Sequence, residues 1–450
     1  MTRLLKFLPP FIRALFEGRA GAQRIAANVV WLLADRIVRL GVGLLVSVWV
    51  ARYLGPQLFG VYNYAIAFVG LFGFISTLGL DSIVVRDIVH APQDANEILG
   101  TAFMLKLIGA LMTMLAATSI GSLAQTSDPA MPVLIGLIAA GTLFQAFDVI
   151  DLWFQSQVRS KYTVYARNTA FLILSLIKVV LILLHAPLIA FAGAALAEIV
   201  LGAIGLIAAY RLTGQTVRSW RASLARARML LSVSWPLMLS SIAVWVYMRI
   251  DQVMLGLLAD TRALGVYSAA VRLSEVWYFI PIVIVSSVFP AVVRSKAIDE
   301  KLYYDRLQRL FNLMVVLSYV IVIPLTLLAG PIINLLYGPS YSEASRMFVV
   351  LMWAGLFVAL GVAREAWLVN EGLTRFSFAT TVAGAIINIV LNIVLIPGWG
   401  AIAAAWATLA AQAVAVSLST LLYARTRRIF VMQVKALVLW GGIRLGKNPK

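Results

Sequence analysis

The stretch Gly60-Val61-Tyr62-Asn63-Tyr64-Ala65 returns in the second half of the chain as Gly265-Val266-Tyr267-Ser268-Ala269-Ala270. Each copy follows a short polar break after a long apolar segment, and each opens the next apolar segment. A motif that repeats at one large offset is typical of membrane proteins built from internal repeats. The repeat therefore predicts two similar halves within one chain.

The composition of the 450-residue chain indicates a membrane protein. Hydrophobic residues make up 62% of it, charged residues make up 12%, and the mean hydropathy is +0.93. A soluble domain is about 45–50% apolar and about 25% charged. Many runs approach the roughly 20 apolar residues that cross a bilayer, where a helix satisfies every backbone group. We expect an all-α membrane protein with about 12 transmembrane helices, in two pseudo-symmetric six-helix bundles around a central cavity.

The predicted spans follow the apolar runs and divide evenly between the two halves. They are 28–50, 58–80, 98–119, 132–154, 164–186, 188–210, 230–256, 265–290, 309–330, 347–369, 375–396 and 400–424. Very tight connections at Ala186-Pro187 and Pro397-Gly398 join the last two spans of each half. Their matching positions support the duplication.

The same pattern divides the chain into five parts. They are a basic cytoplasmic lead at 1–27, an N-terminal six-helix lobe at 28–210, a cytoplasmic linker at 211–229, a C-terminal six-helix lobe at 230–424 and a basic cytoplasmic tail at 425–450. Within the tail, 429–442 is apolar but is interrupted by Gln433 and Lys435. This segment is too short to cross a bilayer comfortably, so we expect an interfacial amphipathic helix there.

The charge distribution predicts the orientation in the membrane. The formal net charge is +18, and the positive excess lies in the N-terminus, the even-numbered connections and the C-terminal tail. The opposite connections contain only Arg52, Arg262 and Arg346 among the basic residues. By the positive-inside rule the basic face is cytoplasmic, with both termini inside. Attraction to anionic lipid headgroups accounts for the basic loops, so membrane lipid is an expected partner and nucleic acid is not.

The residue types give little support for a metal site or a cofactor site. Cysteine is absent, and the two histidines are His90 and His185. The sequence also contains no Gly-x-x-x-x-Gly-Lys-Ser/Thr phosphate loop for ATP. We expect no bound metal, no cofactor and no catalytic residue.

The segment from Asn28 to Arg86 resembles the opening of a known family. The residues that carry the resemblance are Asn28, Ala51-Arg52-Tyr53-Leu54-Gly55, Phe59-Gly60-Val61-Tyr62, Leu78-Gly79-Leu80 and Arg86. The Gly265-Val266-Tyr267 stretch and the region from Pro324 to Tyr337 continue it. The chain is similar to the polysaccharide-unit (O-antigen type) flippases of the multidrug/oligosaccharidyl-lipid/polysaccharide exporter superfamily.

The resemblance implies a function and a location. Members of this family move an oligosaccharide carried on undecaprenyl pyrophosphate across the bacterial cytoplasmic membrane. The partners implied are this lipid-linked oligosaccharide and, in addition, a glycan polymerase or glycosyltransferases. Alternating access around a central cavity is the expected mechanism.

Charged residues inside the predicted spans are the candidate site. Intramembrane charges are costly and usually face a cavity or each other. Arg36 and Arg39 are three residues apart on one helix face, and an arginine fork suits a diphosphate. The alternative for this pair is an ordinary salt bridge from Asp35 or a neighbouring helix. The two interpretations stay open from the sequence.

Other intramembrane charges suggest pairs or gates. Lys178 and Glu198 flank the Ala186-Pro187 turn at similar distances, so they form either a neutralising ion pair or a responsive pair in the cavity. In the second half, the candidates cluster toward the outer ends of spans seven and eight; they are Arg249, Asp251, Arg272 and Glu275. They form either an outer gate or a static network. The binding candidates are thus Arg36, Arg39, Lys178, Arg249 and Arg272, and the coupling or gating candidates are Asp35, Glu198, Asp251 and Glu275.

Three further features carry weaker expectations. Asp148 and Asp151 are either cation-coupling carboxylates or a solvated helix end. Asn388 and Asn392 share a helix face, where interhelical hydrogen bonds are the default and sugar contacts the alternative. Mid-span prolines at 236, 281 and 324 predict that bending concentrates in the second half.

Competing functions remain compatible with the residues. A cation-coupled multidrug or small-molecule antiporter of the same superfamily suits a neutral interior with acids such as Asp35 and Asp251. A membrane polysaccharide polymerase or ligase needs catalytic groups on an external loop. The longest external connection, from Gly330 to Arg346, offers Glu343 and no histidine.

Overall fold

The computed structural model of the protein describes residues 20–123 and 130–438. These residues are largely helical and contain no strand, which confirms the all-α prediction. The helices are α1 (Ala20–Leu71), α2 (Gly73–Thr77), α3 (Asp81–His90), α4 (Ala95–Leu123), α5 (Met131–Gln145), α6 (Val149–Ser156), α7 (Lys161–Leu183), α8 (Leu188–Leu212), α9 (Leu224–Leu258), α10 (Thr261–Ser274), α11 (Phe279–Lys296), α12 (Glu300–Leu327), α13 (Ala329–Tyr337), α14 (Ala344–Asn370), α15 (Thr374–Trp399), α16 (Ala401–Val416) and α17 (Arg427–Leu437). Short 3-10 turns lie at Pro92–Asp94, Ala146–Asp148, Val217–Ser219, Glu275–Trp277, Pro339–Tyr341, Leu418–Leu421 and Ala424–Thr426.

Helix α1 is interrupted at Gly55, which has φ 70° and ψ 168°. Proline at 56 removes a backbone donor and disfavours the helical conformation in the residue before it. Glycine adopts the required positive φ without a Cβ clash. The offset of the repeat relates Gly55 to Asp260. Asp260 caps the start of α10, because its side chain accepts a hydrogen bond from the Ala263 N–H at 2.6 Å. Both copies of the motif therefore begin a new helix at the equivalent place.

Within the described residues, 11 segments are long and apolar enough to cross a membrane. The difference from twelve arises at the start, because the predicted spans 28–50 and 58–80 both overlap the first segment, Asp35–Leu71. This segment has 37 residues and contains the break at Gly55. At about 1.5 Å per residue, it is much longer than one crossing of a roughly 30 Å hydrocarbon layer.

The described residues form two compact units. One draws on Met1–Tyr53 and Ala65–Ile242, and the other on Leu54–Tyr64 and Ala243–Lys450. The second unit thus includes the short piece of α1 that follows the break. The predicted N-terminal lead at 1–27 and the last residues of the tail fall largely outside the described residues.

The core of the first unit is a cluster of aliphatic and aromatic side chains from α3, α4, α6, α8 and α9. Leu80, Val84, Leu99 and Phe154 are fully buried in it. The Trp153 ring meets the Tyr210 ring edge-on, with centroids 5.1 Å apart. Such edge-to-face contacts add stability beyond the buried area.

The second unit is organised around α14, which is buried along most of its length. Its inward face includes Leu351, Ala359, Leu360 and Ala363, and it packs against α10, α12 and α16. Small residues on α16, such as Ala404, allow close approach between these helices. A helix that is surrounded by others in this way fixes the positions of its neighbours.

The two copies of the repeated motif touch each other within the second unit. A Cβ atom added to Gly60 would lie 1.7 Å from the carbonyl oxygen of Thr261, and one added to Gly265 would lie 1.9 Å from that of Pro56. The offset that relates Gly60 to Gly265 also relates Pro56 to Thr261, so the contact is reciprocal. We call it the glycine crossing. Only residues without a side chain fit there.

The structure corrects three local predictions. The tight turn expected at Pro397-Gly398 lies later, because α15 continues through Pro397 to Trp399 and Gly400 makes the turn with φ 62°. Pro281 lies in the first turn of α11, where proline is tolerated, whereas Pro290 is the proline inside that helix. A helix does form in the tail, but α17 ends at Leu437.

Helix α17 packs one face on the second unit. Ile429, Met432, Gln433 and Ala436 are buried against it. The Gln308 amide of α12 donates to the Met432 carbonyl at 2.9 Å, and the Tyr319 hydroxyl donates to the Leu437 carbonyl at 2.9 Å.

Candidate functional site

Arg36 and Arg39 of α1 differ in their partners, although they lie close together on one helix. The Nε atom of Arg39 donates to Asp35 Oδ1 at 2.9 Å, and its guanidinium lies over the Phe171 ring at 5.2 Å from the centroid. Arg36 is exposed and forms no ion pair with any side chain that the structure describes. The salt-bridge alternative therefore holds for Arg39, while Arg36 keeps its donors free.

A second polar group in the first unit centres on Arg167 of α7. Its guanidinium contacts Asp148 Oδ1 at 2.8 Å and Asp151 Oδ2 at 3.5 Å. The Gln155 amide also donates to Asp151 Oδ2, at 3.1 Å. The 3-10 turn between α5 and α6 places both carboxylates on one side of this helix pair. Asp148 and Asp151 are therefore held by a cation, and are not simply a solvated helix end.

These side chains line two cavities that share a wall. One cavity, of about 400 Å³, reaches Asp35, and the other, of about 580 Å³, reaches Asp81. Asp151, Gln155 and Arg167 line both. We call the two together the acidic cavity, because its lining contains four carboxylates and one arginine.

Asp81, which lines the second of these cavities, has a cationic partner outside its lining. Lys106 of α4 is 5% exposed, and its Nζ lies 2.5 Å from Asp81 Oδ1. The acidic cavity therefore carries an excess of negative charge among its described groups. A diphosphate would be repelled there, whereas a cation or a proton would be attracted.

The pair that flanks the Ala186-Pro187 turn forms as the sequence predicts. Lys178 Nζ lies 2.8 Å from Glu198 Oε2, and both side chains are mostly buried, with exposures of 17% and 25%. The two side chains therefore form an ion pair in the structure. Breaking it would leave a charge in a medium where unpaired charges are costly.

In the second unit, Glu275 has a different partner from the one that its spacing suggests. The Arg249 guanidinium of α9 lies 3.1 Å from Glu275 Oε2, with exposures of 30% and 25%. Arg272, three residues before Glu275, is exposed and forms no ion pair with the described residues. Although Arg272 and Glu275 are three residues apart, the Glu275 carboxylate pairs with Arg249 of the neighbouring helix instead.

Asp251 is a buried carboxylate that no described cation neutralises. It is 6% exposed on α9, and the Tyr267 hydroxyl of α10 donates to its Oδ2 atom. The Gln252 N–H donates to Oδ1 at 2.7 Å, and the Thr408 hydroxyl of α16 lies 3.4 Å from Oδ2. Buried carboxylates are normally paired or protonated. Asp251 is thus the least compensated carboxylate in this unit among the described groups.

Two asparagines of α15 extend this arrangement. The Asn392 amide donates to Asn388 Oδ1 at 2.9 Å, and the Asn388 amide lies 3.5 Å from Thr408 Oγ1. Asn392 is fully buried, and its own Oδ1 has no hydrogen-bond partner in the described part of the chain. The Asp251 network, formed by Asp251, Tyr267, Asn388, Asn392 and Thr408, therefore connects one buried carboxylate to two asparagines through Thr408.

Sequence reasoning missed Lys106, Arg167, Arg364, Tyr267 and Thr408. Lys106, Arg167 and Arg364 are isolated charges in apolar segments, and this rarity alone would have marked them. No such signal marks Tyr267 and Thr408, because the role of their hydroxyls depends on their contact with Asp251 in the folded protein. Among the described residues, no three His, Asp or Glu side chains group as metal ligands.

Solved structures with the same fold define the class of protein. The chain matches the inward closed conformation of the lipid II flippase MurJ with a TM-score of 0.68, at 15% identity, covering 92% of this chain and 91% of the other. It also matches an inward-facing multidrug resistance MATE family transporter with a TM-score of 0.68, at 15% identity, covering 90% and 99%. At these identities the likeness shows the fold alone. The protein is a multi-pass membrane protein with a transporter fold.

The sequence comparisons show the family. The chain belongs to the family described as polysaccharide biosynthesis protein, whose profile matches residues 25–296, and the profile described as MatE matches residues 236–394. Two curated relatives come from Haloferax volcanii. The probable flippase AglR is 25% identical over 87% of this chain and 80% of its own length, and the probable low-salt glycan biosynthesis flippase Agl15 is 23% identical over 90% and 84%. The resemblance to the polysaccharide-unit flippases is confirmed.

Proposed function

We propose that the protein moves lipid-linked oligosaccharide units across the cytoplasmic membrane for polysaccharide biosynthesis. The observation that carries this proposal is that both curated relatives are named as flippases and match over most of their length. The specific carrier that we propose is undecaprenyl pyrophosphate, as in the bacterial polysaccharide-unit flippases. Glycosyltransferases that build the glycan and a polymerase that uses it are the proposed protein partners.

The geometry ranks the five candidate cations for contact with the diphosphate. Arg39, Lys178 and Arg249 each have a carboxylate within 3.1 Å, which a phosphate would have to displace. Arg36 and Arg272 are exposed, and no described carboxylate pairs with them. Free guanidinium groups bind phosphate through two parallel hydrogen bonds. We therefore assign first contact with the diphosphate to Arg36 and Arg272.

Reconstituted vesicles test this assignment directly. The rate of flipping of labelled lipid-linked oligosaccharide should fall roughly tenfold or more in Arg36→Gln, because hydrogen bonds to charged groups contribute about 1.5–3 kcal/mol. Arg375→Gln is the matched control, since Arg375 is also exposed and unpaired among the described residues. Unchanged rates in Arg36→Gln and Arg272→Gln would remove this contact from the proposal, and no flipping by the wild-type protein would remove the function.

We also propose that transport proceeds by alternating access and that partly exposed ion pairs open and close with it. The pairs Arg39–Asp35 and Arg249–Glu275 have exposures between 25% and 33%, so water can replace either partner. Such pairs contribute less than fully buried ones and exchange at lower cost. Lys178–Glu198 is more enclosed and is the more static of the three.

The Asp251 network is the proposed coupling site. A proton or a small monovalent cation would neutralise the Asp251 carboxylate, and the Tyr267 and Thr408 hydroxyls lie against the same carboxylate oxygen. In Asp251→Asn, flipping should lose its dependence on an imposed pH or sodium gradient while uncoupled flipping persists. Asp305→Asn in α12 is the control, because Asp305 is exposed and lies outside the proposed gating pairs. Gradient dependence that survives in Asp251→Asn would contradict this site.

A cation-coupled antiporter is the second candidate function. It is favoured by the MatE match at 236–394 and by the excess of carboxylates around the acidic cavity. Uptake of a fluorescent cationic drug into vesicles distinguishes the two candidates. The antiporter is the correct function if the vesicles take up the drug and do not flip the oligosaccharide. In that case Arg167→Gln and Asp151→Asn should abolish the drug uptake.

A further inference from the structure

The segment that joins α8 to α9 is bound firmly to the first unit. We call residues 211–228 the strap. Its Arg221 N–H donates to the Asn96 carbonyl at 3.2 Å, and its Ser223 N–H donates to Thr101 Oγ1 at 3.1 Å. A Cβ atom added to Gly100 would lie 2.6 Å from the backbone nitrogen and oxygen of Arg221. The strap backbone therefore lies directly on the start of α4.

Side chains hold the strap in the same place. Arg226 contacts Asp94 Oδ2 at 3.0 Å and Glu97 Oε1 at 3.5 Å. The Trp220 ring packs against the Phe103 ring at a centroid distance of 5.4 Å. Arg226 thus pairs with both acidic groups at the start of α4. These contacts hold the strap in place, so its outer surface is fixed.

That outer surface is basic and unusually apolar at its edges. Four arginines are exposed and form no ion pair with the described residues: Arg211, Arg218, Arg221 and Arg228. Leu212 and Leu224, which end α8 and begin α9, are 85% and 83% exposed. Leucines this exposed are unexpected next to water but are compatible with the boundary of a bilayer.

We propose that the strap is a docking surface for the anionic phospholipid headgroups of one leaflet. Both of its ends continue into segments that cross the membrane, so its 11 residues between α8 and α9 lie at headgroup depth. Its arginine forks match phosphate oxygens, and the two leucines enter the acyl boundary beside them. An acidic protein would satisfy the arginines but would leave both leucines in water. This inference rests on membership of a membrane-protein family and is independent of the transported substrate.

A single-cysteine reporter makes the test possible, because the chain contains no cysteine. Ala222→Cys places an environment-sensitive fluorophore on the exposed side of the strap. The protein is reconstituted in phosphatidylcholine vesicles with a minor fraction of nitroxide-labelled phosphatidylglycerol or, in parallel, nitroxide-labelled phosphatidylcholine. The anionic quencher should be preferred, by about fivefold per arginine, which corresponds to about 1 kcal/mol for each basic residue near the surface.

The variant Arg218→Gln/Arg221→Gln/Arg228→Gln should remove most of this preference, leaving about the fivefold share of Arg211, while Arg226 keeps the strap in place. Arg346→Gln, an exposed arginine elsewhere, should leave the preference intact, and a reporter at Ser342→Cys should show little preference. Equal quenching by the two lipids would overturn the proposal and indicate an acidic protein partner. Loss of the preference in inorganic phosphate at matched ionic strength would also overturn it, because a soluble anion would then be the ligand.

Discussion

Arg364 is a cation buried for structural reasons. It is 4% exposed on α14, and its guanidinium donates to the carbonyl of Ala415, to that of Val416 at 3.0 Å, and to Thr380 Oγ1 at 2.9 Å. Helix α16 ends at Val416, so these carbonyls lack helical N–H donors. The Ser419 hydroxyl also donates to the Ala415 carbonyl at 2.7 Å, and the Gln433 amide lies 3.5 Å from the Val416 carbonyl. The guanidinium replaces the missing N–H donors and links α14, α15 and α16.

Replacing this guanidinium should destabilise the fold without touching the proposed site. Arg364→Met keeps much of the volume but removes the hydrogen bonds from the charged guanidinium to the Val416 carbonyl and to Thr380 Oγ1, and hydrogen bonds to charged groups contribute about 1.5–3 kcal/mol each. We expect a clearly lower unfolding temperature in detergent than for Arg375→Met, whose arginine is exposed. Equal unfolding temperatures for the two variants would show that water satisfies these carbonyls.

Glu371, in the loop between α14 and α15, predicts a pH dependence. Burial works to raise the pKa of its carboxyl, but hydrogen bonds from Lys296 at 2.6 Å and Tyr303 at 3.0 Å outweigh it, so the pKa lies below its ordinary value of 4.5. A carboxyl with a depressed pKa stabilises the fold above its unfolded pKa, and this stabilisation is lost as the pH falls through the folded value.

The unfolding temperature should therefore decline as the pH is lowered from about 4.5, and the decline should be smaller in Glu371→Gln. Glu343→Gln is the control, because the Glu343–Arg262 pair is 59% and 53% exposed and contributes little. The same pH dependence in the wild-type protein and Glu371→Gln would assign it to other carboxyls.

At the scale of helices, the glycine crossing sets the distance between the segment after Gly55 and α10. Gly265→Ala would place a methyl group 1.9 Å from a backbone oxygen, which cannot rotate away. We expect the unfolding temperature to fall sharply in Gly60→Ala and in Gly265→Ala. Gly193→Ala in α8 is the matched control, because nothing lies within 4 Å of its added Cβ. Its effect should be neutral or stabilising, since alanine favours a helix by about 1 kcal/mol. Similar behaviour of all three variants would contradict the close packing.

The elements also show why some contacts follow from the sequence and others do not. Lys178 and Glu198 were predictable because a tight turn fixes their relative depth. The contact between Arg249 and Glu275 was not predictable, because spacing within one helix favoured Arg272, whereas Arg249 lies on another helix. The sequence period reports neighbours along a helix, whereas partners on other helices depend on packing.

For the whole molecule, the asymmetry of charge predicts the orientation. In intact cells, a membrane-impermeant maleimide should label Ser342→Cys and leave Ala222→Cys unlabelled until the membrane is opened, because the basic linker is expected inside. The absence of native cysteine makes both reporters specific. The reverse pattern would place the basic face outside and contradict the positive-inside assignment.

Composition predicts some features of the whole molecule and leaves others open. Long apolar runs dictate helices, so the fold class and most spans were predictable. The break at Gly55 was predictable as a boundary between two apolar runs, and a helix lies on each side of it in the structure. The candidate cations were predictable as a set, since charges in apolar runs are rare. Their neutralisation was not, because Asp35, Glu198 and Glu275 reach them only in the folded chain.

The glycine crossing bears on how an internally repeated chain of this kind evolves. In a dimer of identical subunits, residue i of one copy meets residue j of the other, and j meets i in return. Gly60 with Thr261 and Pro56 with Gly265 keep this reciprocity inside one polypeptide. A six-span ancestor that paired with itself would have met its twin at this glycine, so each mutation there would have acted twice. In a chain built by duplication of such an ancestor, the two positions have independent codons, yet the close backbone contact allows only glycine at both.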